Sequence, residues 1–165
     1  MYSTKTPSWR REIGFGVLAI AAVGSASVAG QIATYPNLAP WYASLVKPAF
    51  NPPNWIFAPV WTALYILMGI ALFLIWRSAE DKSIKQTALI LFAIQLLLNF
   101  FWSLIFFSLK QTGWAFVEII AMWIAILLTM IWFNKISATA TWLMLPYILW
   151  VSFAAVLNYS IWKLN

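Results

Sequence analysis

The 165-residue sequence contains no cysteine, no histidine and only four acidic residues. Without cysteine there are no disulfides and no thiol chemistry, and the redox compartment leaves no mark. Without histidine the chain lacks the commonest metal ligand, the usual haem axial ligand and the standard general base near neutral pH. Three of the acids, Glu12, Glu80 and Asp81, lie in polar flanks, and only Glu118 falls inside an apolar run. Such a set cannot supply a catalytic triad, a carboxylate pair or a metal site, which speaks against hydrolytic and metal-dependent catalysis. No cofactor or bound metal is expected. Glu118 itself reads either as a polar contact or proton acceptor in a cavity, or as a carboxylate one turn inside a helix N-terminus that snorkels to the interface.

What fills the chain is apolar. It is 64% hydrophobic and 8% charged, with a mean hydropathy of +0.84, far more apolar surface than a soluble domain of this length can hide. The expectation is an all-α membrane protein, a single bundle of five transmembrane helices forming one domain over 1–165. The spans fall at about 13–35, 56–76, 84–109, 114–133 and 139–162, each near the ~20 residues that cross a bilayer. Residues 36–55 are expected to form a structured loop, and Pro146 to kink the fifth span. A dozen polar residues ahead of a long apolar run speak against a cleaved signal peptide. Ala22, Ala26 and Gly30, spaced by four, form a stripe that lets helices approach closely. Packing inside the monomer is the plainer reading of it, and a homodimer the alternative.

With the N-terminus cytoplasmic, that side holds Lys5, Arg10, Arg11, Arg77, Lys82, Lys85 and Lys135, and the other holds Lys47, Lys110 and Lys163. Seven against three places the N-terminus inside and the C-terminus outside. The +6 net charge is scattered over several loops, so it marks topology and calls for no nucleic acid.

The most informative stretch is Trp41 to Met68. Pro48, Pro52 and Pro53 keep its first half out of helix, and Pro59 is expected in the first turn of the helix that follows. Within that helix Trp61, Tyr65, Met68 and Leu72 recur at spacings of 4, 3 and 4, so they share a face. The third span repeats the pattern with Gln95, Asn99, Trp102 and Phe106, and the fifth with Tyr147, Trp150, Ala154 and Asn158. Facing one another, these stripes would enclose an apolar slot with a few polar fixings. The ligand it suits is large, flat and apolar, because indole faces stack on a macrocycle while Lys47 or an amide near the loop holds its carboxylates. Trp9, Trp55, Trp76, Trp123, Trp132, Trp142 and Trp162 read instead as interfacial anchors or core packing.

The blocks WYASLVKPAFNPPNWIFAPVWTALYILMG (Trp41–Gly69), QLLLNFFWSLIFF (Gln95–Phe107), GWAFVEI (Gly113–Ile119) and PYILWVSFAAVLNYSIWKLN (Pro146–Asn165) resemble the signature of the TspO/MBR family. That family comprises the tryptophan-rich sensory proteins of bacteria and the translocator protein of mitochondria. The resemblance implies a five-helix protein that binds porphyrins in a cavity capped by the first loop; mitochondrial members also bind cholesterol and synthetic drug ligands. Carried over by motif, Trp61, Asn99, Trp102, Trp114, Trp150 and Asn158 match cavity-lining positions, and Trp41 at the head of the signature is grouped with them. Trp61 and Trp150 resemble the pair implicated in light-dependent porphyrin breakdown by some bacterial members.

A chain without His or Cys fits metal-free protoporphyrin IX better than haem. Leu157, Tyr159 and Lys163 loosely match a sterol pattern, but aromatic and basic residues at a helix end are also the ordinary interfacial anchor. The chain lacks the extended polar tail of the animal proteins, so a sterol is not the expected ligand. The function expected is a membrane tetrapyrrole receptor, sensor or carrier in porphyrin and stress metabolism. Its alternatives are a light-dependent protoporphyrin-degrading enzyme and a transporter, although five helices do not divide into two equal repeats. The lack of an evident targeting peptide and the short tail point to a bacterial cell membrane.

Overall fold

The computed structural model describes residues 9–38 and 41–165, leaving aside the side chains of residues 9–11, 26, 27, 29, 31, 33, 35 and 38. Lys5 and the side chains of Trp9, Arg10, Arg11 and Ala26 therefore lie outside the description. The chain forms α1 (Trp9–Leu38), α2 (Asn54–Arg77), α3 (Lys82–Ser103), α4 (Thr112–Asn134) and α5 (Ala138–Leu164). A single 3₁₀ turn, Tyr42–Ser44, stands in the first loop, and a π-helical turn, Leu104–Ser108, extends α3. Helices α2 to α5 are each long and apolar enough to cross a membrane, and α1 contributes an apolar segment over Glu12–Ser25. The protein is thus an all-α, multi-pass membrane protein of five helices.

Local chemistry sets the helix starts. The Asp81 carboxylate accepts the N–H groups of Ser83 (2.8 Å) and Ile84 (3.4 Å), and Ser137 Oγ accepts that of Ala140 (3.3 Å), two N-caps that satisfy otherwise orphaned donors. Helix α2 begins at Asn54, directly after Pro53. This corrects the expectation for Pro59, which stands inside the helix rather than in its first turn. The N–H that Pro59 lacks would have met the carbonyl of Trp55, and both residues are exposed, so the missing bond falls where it disturbs no packing. Helix α1 likewise runs on past Pro36 to Leu38, and Pro146 lies inside α5.

The helices close a ring in the order α1, α2, α5, α4, α3, with α1 touching both α2 and α3. Its interior is an apolar core that includes Ala19, Val23, Met68, Ile75, Phe92, Met122, Ile126, Phe133 and Val151. Phe92 stacks on Phe133 (5.7 Å) and Phe15 on Trp76 (5.8 Å), each tying neighbouring helices together. The small-residue stripe of α1 is split by this packing. Gly30 is buried, with Ser103 Oγ 3.5 Å from where a Cβ would stand, while Ala22 is exposed.

A second apolar cluster, of Tyr42, Phe106, Phe107, Ala115, Leu157 and Ile161, closes one end of the bundle. The π-helical turn builds it: Leu109 N–H bonds the Leu104 carbonyl at 2.9 Å, five residues back, and the wider turn lets neighbouring Phe106 and Phe107 both be buried. Trp41 meets them edge-on at 5.5 and 6.4 Å, so the loop is packed down as a cap. Its far side is tethered to α5. The Asn165 amide accepts the Val46 N–H and donates to the Val46 carbonyl, both at 3.0 Å, and Phe50 meets Phe153 at 6.4 Å.

Candidate ligand site

Beneath the cap, the predicted stripes of α2, α3 and α5 converge. Asn99 of α3 is the hub. Its Oδ1 accepts the Tyr65 hydroxyl at 2.7 Å and its Nδ2 donates to the Tyr147 hydroxyl at 3.1 Å, while Tyr147 donates onward to Met122 Sδ at 3.7 Å. One amide therefore links α2, α3, α4 and α5 through groups that hydrocarbon would otherwise leave unpaired. Asn158 of α5 forms a second hub: it accepts the Trp102 indole N–H at 3.0 Å and donates to the Thr112 carbonyl at 2.8 Å.

Aromatic rings line the seam between α2 and α5. Trp61 lies 5.6 Å from Tyr65 and meets Tyr147 edge-on at 6.2 Å. One turn nearer the cap, Phe57 meets the Trp150 edge at 5.9 Å, and Trp150 leans on Phe153 at 5.5 Å. Ala154 is half-buried beside this seam. The donors divide cleanly. Trp102 and Trp123 give their indole N–H groups to Asn158 and to Ser152 (2.8 Å), whereas the half-buried Trp61 and Trp150 have no acceptor among the described residues. Lys47, a candidate for holding carboxylates, donates to the Ala43 and Leu45 carbonyls at 3.3 and 3.1 Å and sits over the Tyr42 ring. Burial raises the Tyr42 phenol above its ordinary pKa, so it stays a donor, to Asn51 Oδ1 at 3.0 Å.

The structure thus brings Trp61, Tyr65, Asn99, Trp102, Tyr147, Trp150 and Asn158 to one end of the bundle, with Trp41 above them in the cap. It does not bring Trp114 there: that side chain is 68% exposed and lines two clefts on the outer face of α4. The sterol-like triplet forms no common surface, because Leu157 is buried in the end cluster while Tyr159 is exposed, 5.2 Å from Phe116, with Lys163 above its ring. Among the tryptophans read as anchors or packing, Trp55, Trp142 and Trp162 are exposed and Trp76, Trp123 and Trp132 pack on the core.

Glu118 lies in the second turn of α4, beyond the first turn at its N-terminus. Its carboxylate oxygens are buried without a hydrogen-bond partner among the described residues, as are the amide atoms of the fully buried Gln95. Residues that the stripes missed are Phe57 and Phe153, which continue the spacing on either side of Trp61 and Trp150, and Phe50 in the loop. Extending the α2 stripe by one turn would have found Phe57, whereas Phe153 lies within the α5 stripe, beside Ala154.

A family model described as TspO/MBR family matches residues 16–163. A tryptophan-rich protein TspO of Archaeoglobus fulgidus is 42% identical over 151 residues, covering 90% of this chain and 94% of its own. A protein of the same name from Chlorobaculum tepidum is 46% identical over 131 residues, 79% of this chain and 83% of its own. The translocator protein of Ovis aries is 42% identical over 126 residues, 76% of this chain and 75% of its own.

Proposed function

The chain belongs to the TspO/MBR family, and from that premise we propose that it is a membrane receptor or carrier for a porphyrin such as protoporphyrin IX, bound under the first loop between α2 and α5. The observation that carries this reading is the division of donors. Asn99, Asn158, Trp102 and Lys47 are spent on the protein's own acceptors, which leaves the indole N–H groups of Trp61 and Trp150 for a ligand's carboxylates. Both sit in an aromatic seam whose faces suit a flat macrocycle.

The exchange is energetically even-handed. Seating a macrocycle parts contacts such as Phe57 with Trp150 and Phe50 with Phe153, each worth about 0.5–1.5 kcal/mol, and puts ring faces against the macrocycle in their place. The polar hubs below the seam hold the helices in register while this happens. The membrane in question is a bacterial cell membrane with the loop on the outer side, a reading supported by the count of basic residues and by relatives from prokaryotes.

The test is a titration of the purified protein with protoporphyrin IX in the dark, followed through tryptophan fluorescence. Saturable quenching near one porphyrin per chain is the expected result, and its absence removes the proposal. Absorbance of the same sample after illumination then separates binding from breakdown, since a new absorbing product would make the protein a light-dependent degrading enzyme.

A further inference from the structure

The outer face of α4 carries a feature that the porphyrin site does not use. Two clefts, of about 330 and 440 Å³, share Gln111, Trp114 and Val117 and so form one continuous groove. The upper part is rimmed by Lys110 and Trp162. The lower part is walled by Ile105 and Leu109 and reaches Ala121, about 14 Å along α4 from Thr112 at 1.5 Å per residue. The lower wall comes from the π-helical turn, through Ile105, and from the residue that caps it, Leu109.

Charge is confined to one end of the groove. Lys110 has no carboxylate partner among the described residues, and Lys163 Nζ stands 4.2 Å above the Trp162 ring that forms the rim. Below the rim only Glu118 is ionisable, and both its oxygens are buried, so the groove is walled by hydrocarbon and indole. Two cations above a long apolar slot that opens towards the bilayer complement one kind of molecule, an anionic amphiphile whose charge lies at the headgroup level.

We propose that this groove is a site for an anionic phospholipid, one acyl chain lying along Trp114, Val117 and Ala121 and the phosphate resting between Lys110 and Lys163. The exposed indole of Trp114 covers the chain, and Trp162 holds the rim open against the backbone of Gly113, where a Cβ would come within 2.8 Å of the indole nitrogen. The headgroup charge selects the lipid and the slot retains it.

The experiment is native mass spectrometry of the full chain in detergent, titrated with phosphatidylglycerol or with phosphatidylcholine of the same acyl chains. At ~1 kcal/mol per lysine near a headgroup, one lysine corresponds to about a fivefold preference for phosphatidylglycerol. The wild type is expected to show at least that preference, and Lys110→Gln/Lys163→Gln to bring the two lipids to parity. Ala121→Phe, which fills the lower slot, is expected to reduce retention of both lipids, and a melting curve without lipid confirms that each variant is folded. Equal retention of the two lipids by the wild type overturns the proposal, as does undiminished preference in the lysine variant or undiminished retention in Ala121→Phe. A lipid-free dimer that Ala121→Phe dissociates also overturns it, by making a second copy of the chain the occupant.

Discussion

Asn99 is the point at which the polar scaffold of the bundle can be broken with least collateral change. Asn99→Leu keeps the side-chain size at a buried position but removes the bonds to Tyr65 (2.7 Å) and Tyr147 (3.1 Å). Interhelical hydrogen bonds in membranes average about 0.6 kcal/mol and reach about 1.7, so the two together contribute roughly 1.2 kcal/mol, and up to about 3 if both are of the strong kind. The loss is unevenly shared. Tyr147 keeps Met122 Sδ as acceptor, whereas the Tyr65 hydroxyl has no second partner among the described residues. Tyr65→Phe alone therefore costs about 0.6 kcal/mol, and once it is made, Asn99→Leu no longer strands a hydroxyl. A double-mutant cycle, followed by tryptophan fluorescence as the protein unfolds in mixed micelles, is expected to give a coupling of about 0.6 kcal/mol or more. Additive costs would refute the hub.

Gly113→Ala puts a methyl group into the Trp162 indole and is expected to destabilise by about 1–2 kcal/mol as an overpacked contact. Gly30→Ala meets only an ordinary contact with Ser103 and should lie within about 0.5 kcal/mol of wild type; equal effects of the two in thermal unfolding would contradict the packing described. Asn165→Ala removes both bonds to Val46, and at about 1 kcal/mol for the pair the Val46 amide should exchange hydrogen roughly fivefold faster. Unchanged exchange would mean that the aromatic contacts alone hold the cap. Glu118→Gln replaces a buried carboxyl that has no hydrogen-bond partner among the described residues with an amide of the same shape, so stability is expected to stay within about 0.5 kcal/mol of wild type; a marked loss of stability would reveal a partner for the carboxyl.

The helices and their inward faces were legible because one rule generates them. Apolar length sets the spans, and spacings of three and four put Tyr65, Asn99 and Tyr147 on faces that meet. What the rule could not supply was departure from it. The π-helical turn at Leu104–Ser108 has no local sequence mark, since neighbouring Phe106 and Phe107 are buried by a wider turn that only the packed cap makes worthwhile. Both the cap cluster and the outer groove depend on that turn, so neither was visible. Pro59 misled the reading of where α2 starts, because here its missing bond falls one turn further in, on the exposed face near the start of the helix. Trp114 shows the limit of carrying a position over by motif, as its place in the chain says nothing of which way the helix turns it. The tether of Asn165 to Val46 joins a side chain to backbone across 119 positions, and no periodic pattern encodes such a contact.

The decisive comparison is protoporphyrin IX affinity, measured by fluorescence quenching in the dark, for Trp61→Phe, Trp150→Phe and Trp102→Phe. Phenylalanine keeps a ring at each position and deletes only the indole N–H donor and part of the face. With an unspent donor at Trp61 and Trp150, each of those variants should bind about tenfold or more weakly, the loss of one hydrogen bond to a charged group at ~1.5 kcal/mol or more. Trp102→Phe removes a donor already committed to Asn158 and should leave affinity within about twofold once folding is confirmed. If Trp102→Phe weakens binding as much as the other two, or if all three bind like wild type, the assignment of the ligand's carboxylates to Trp61 and Trp150 is wrong.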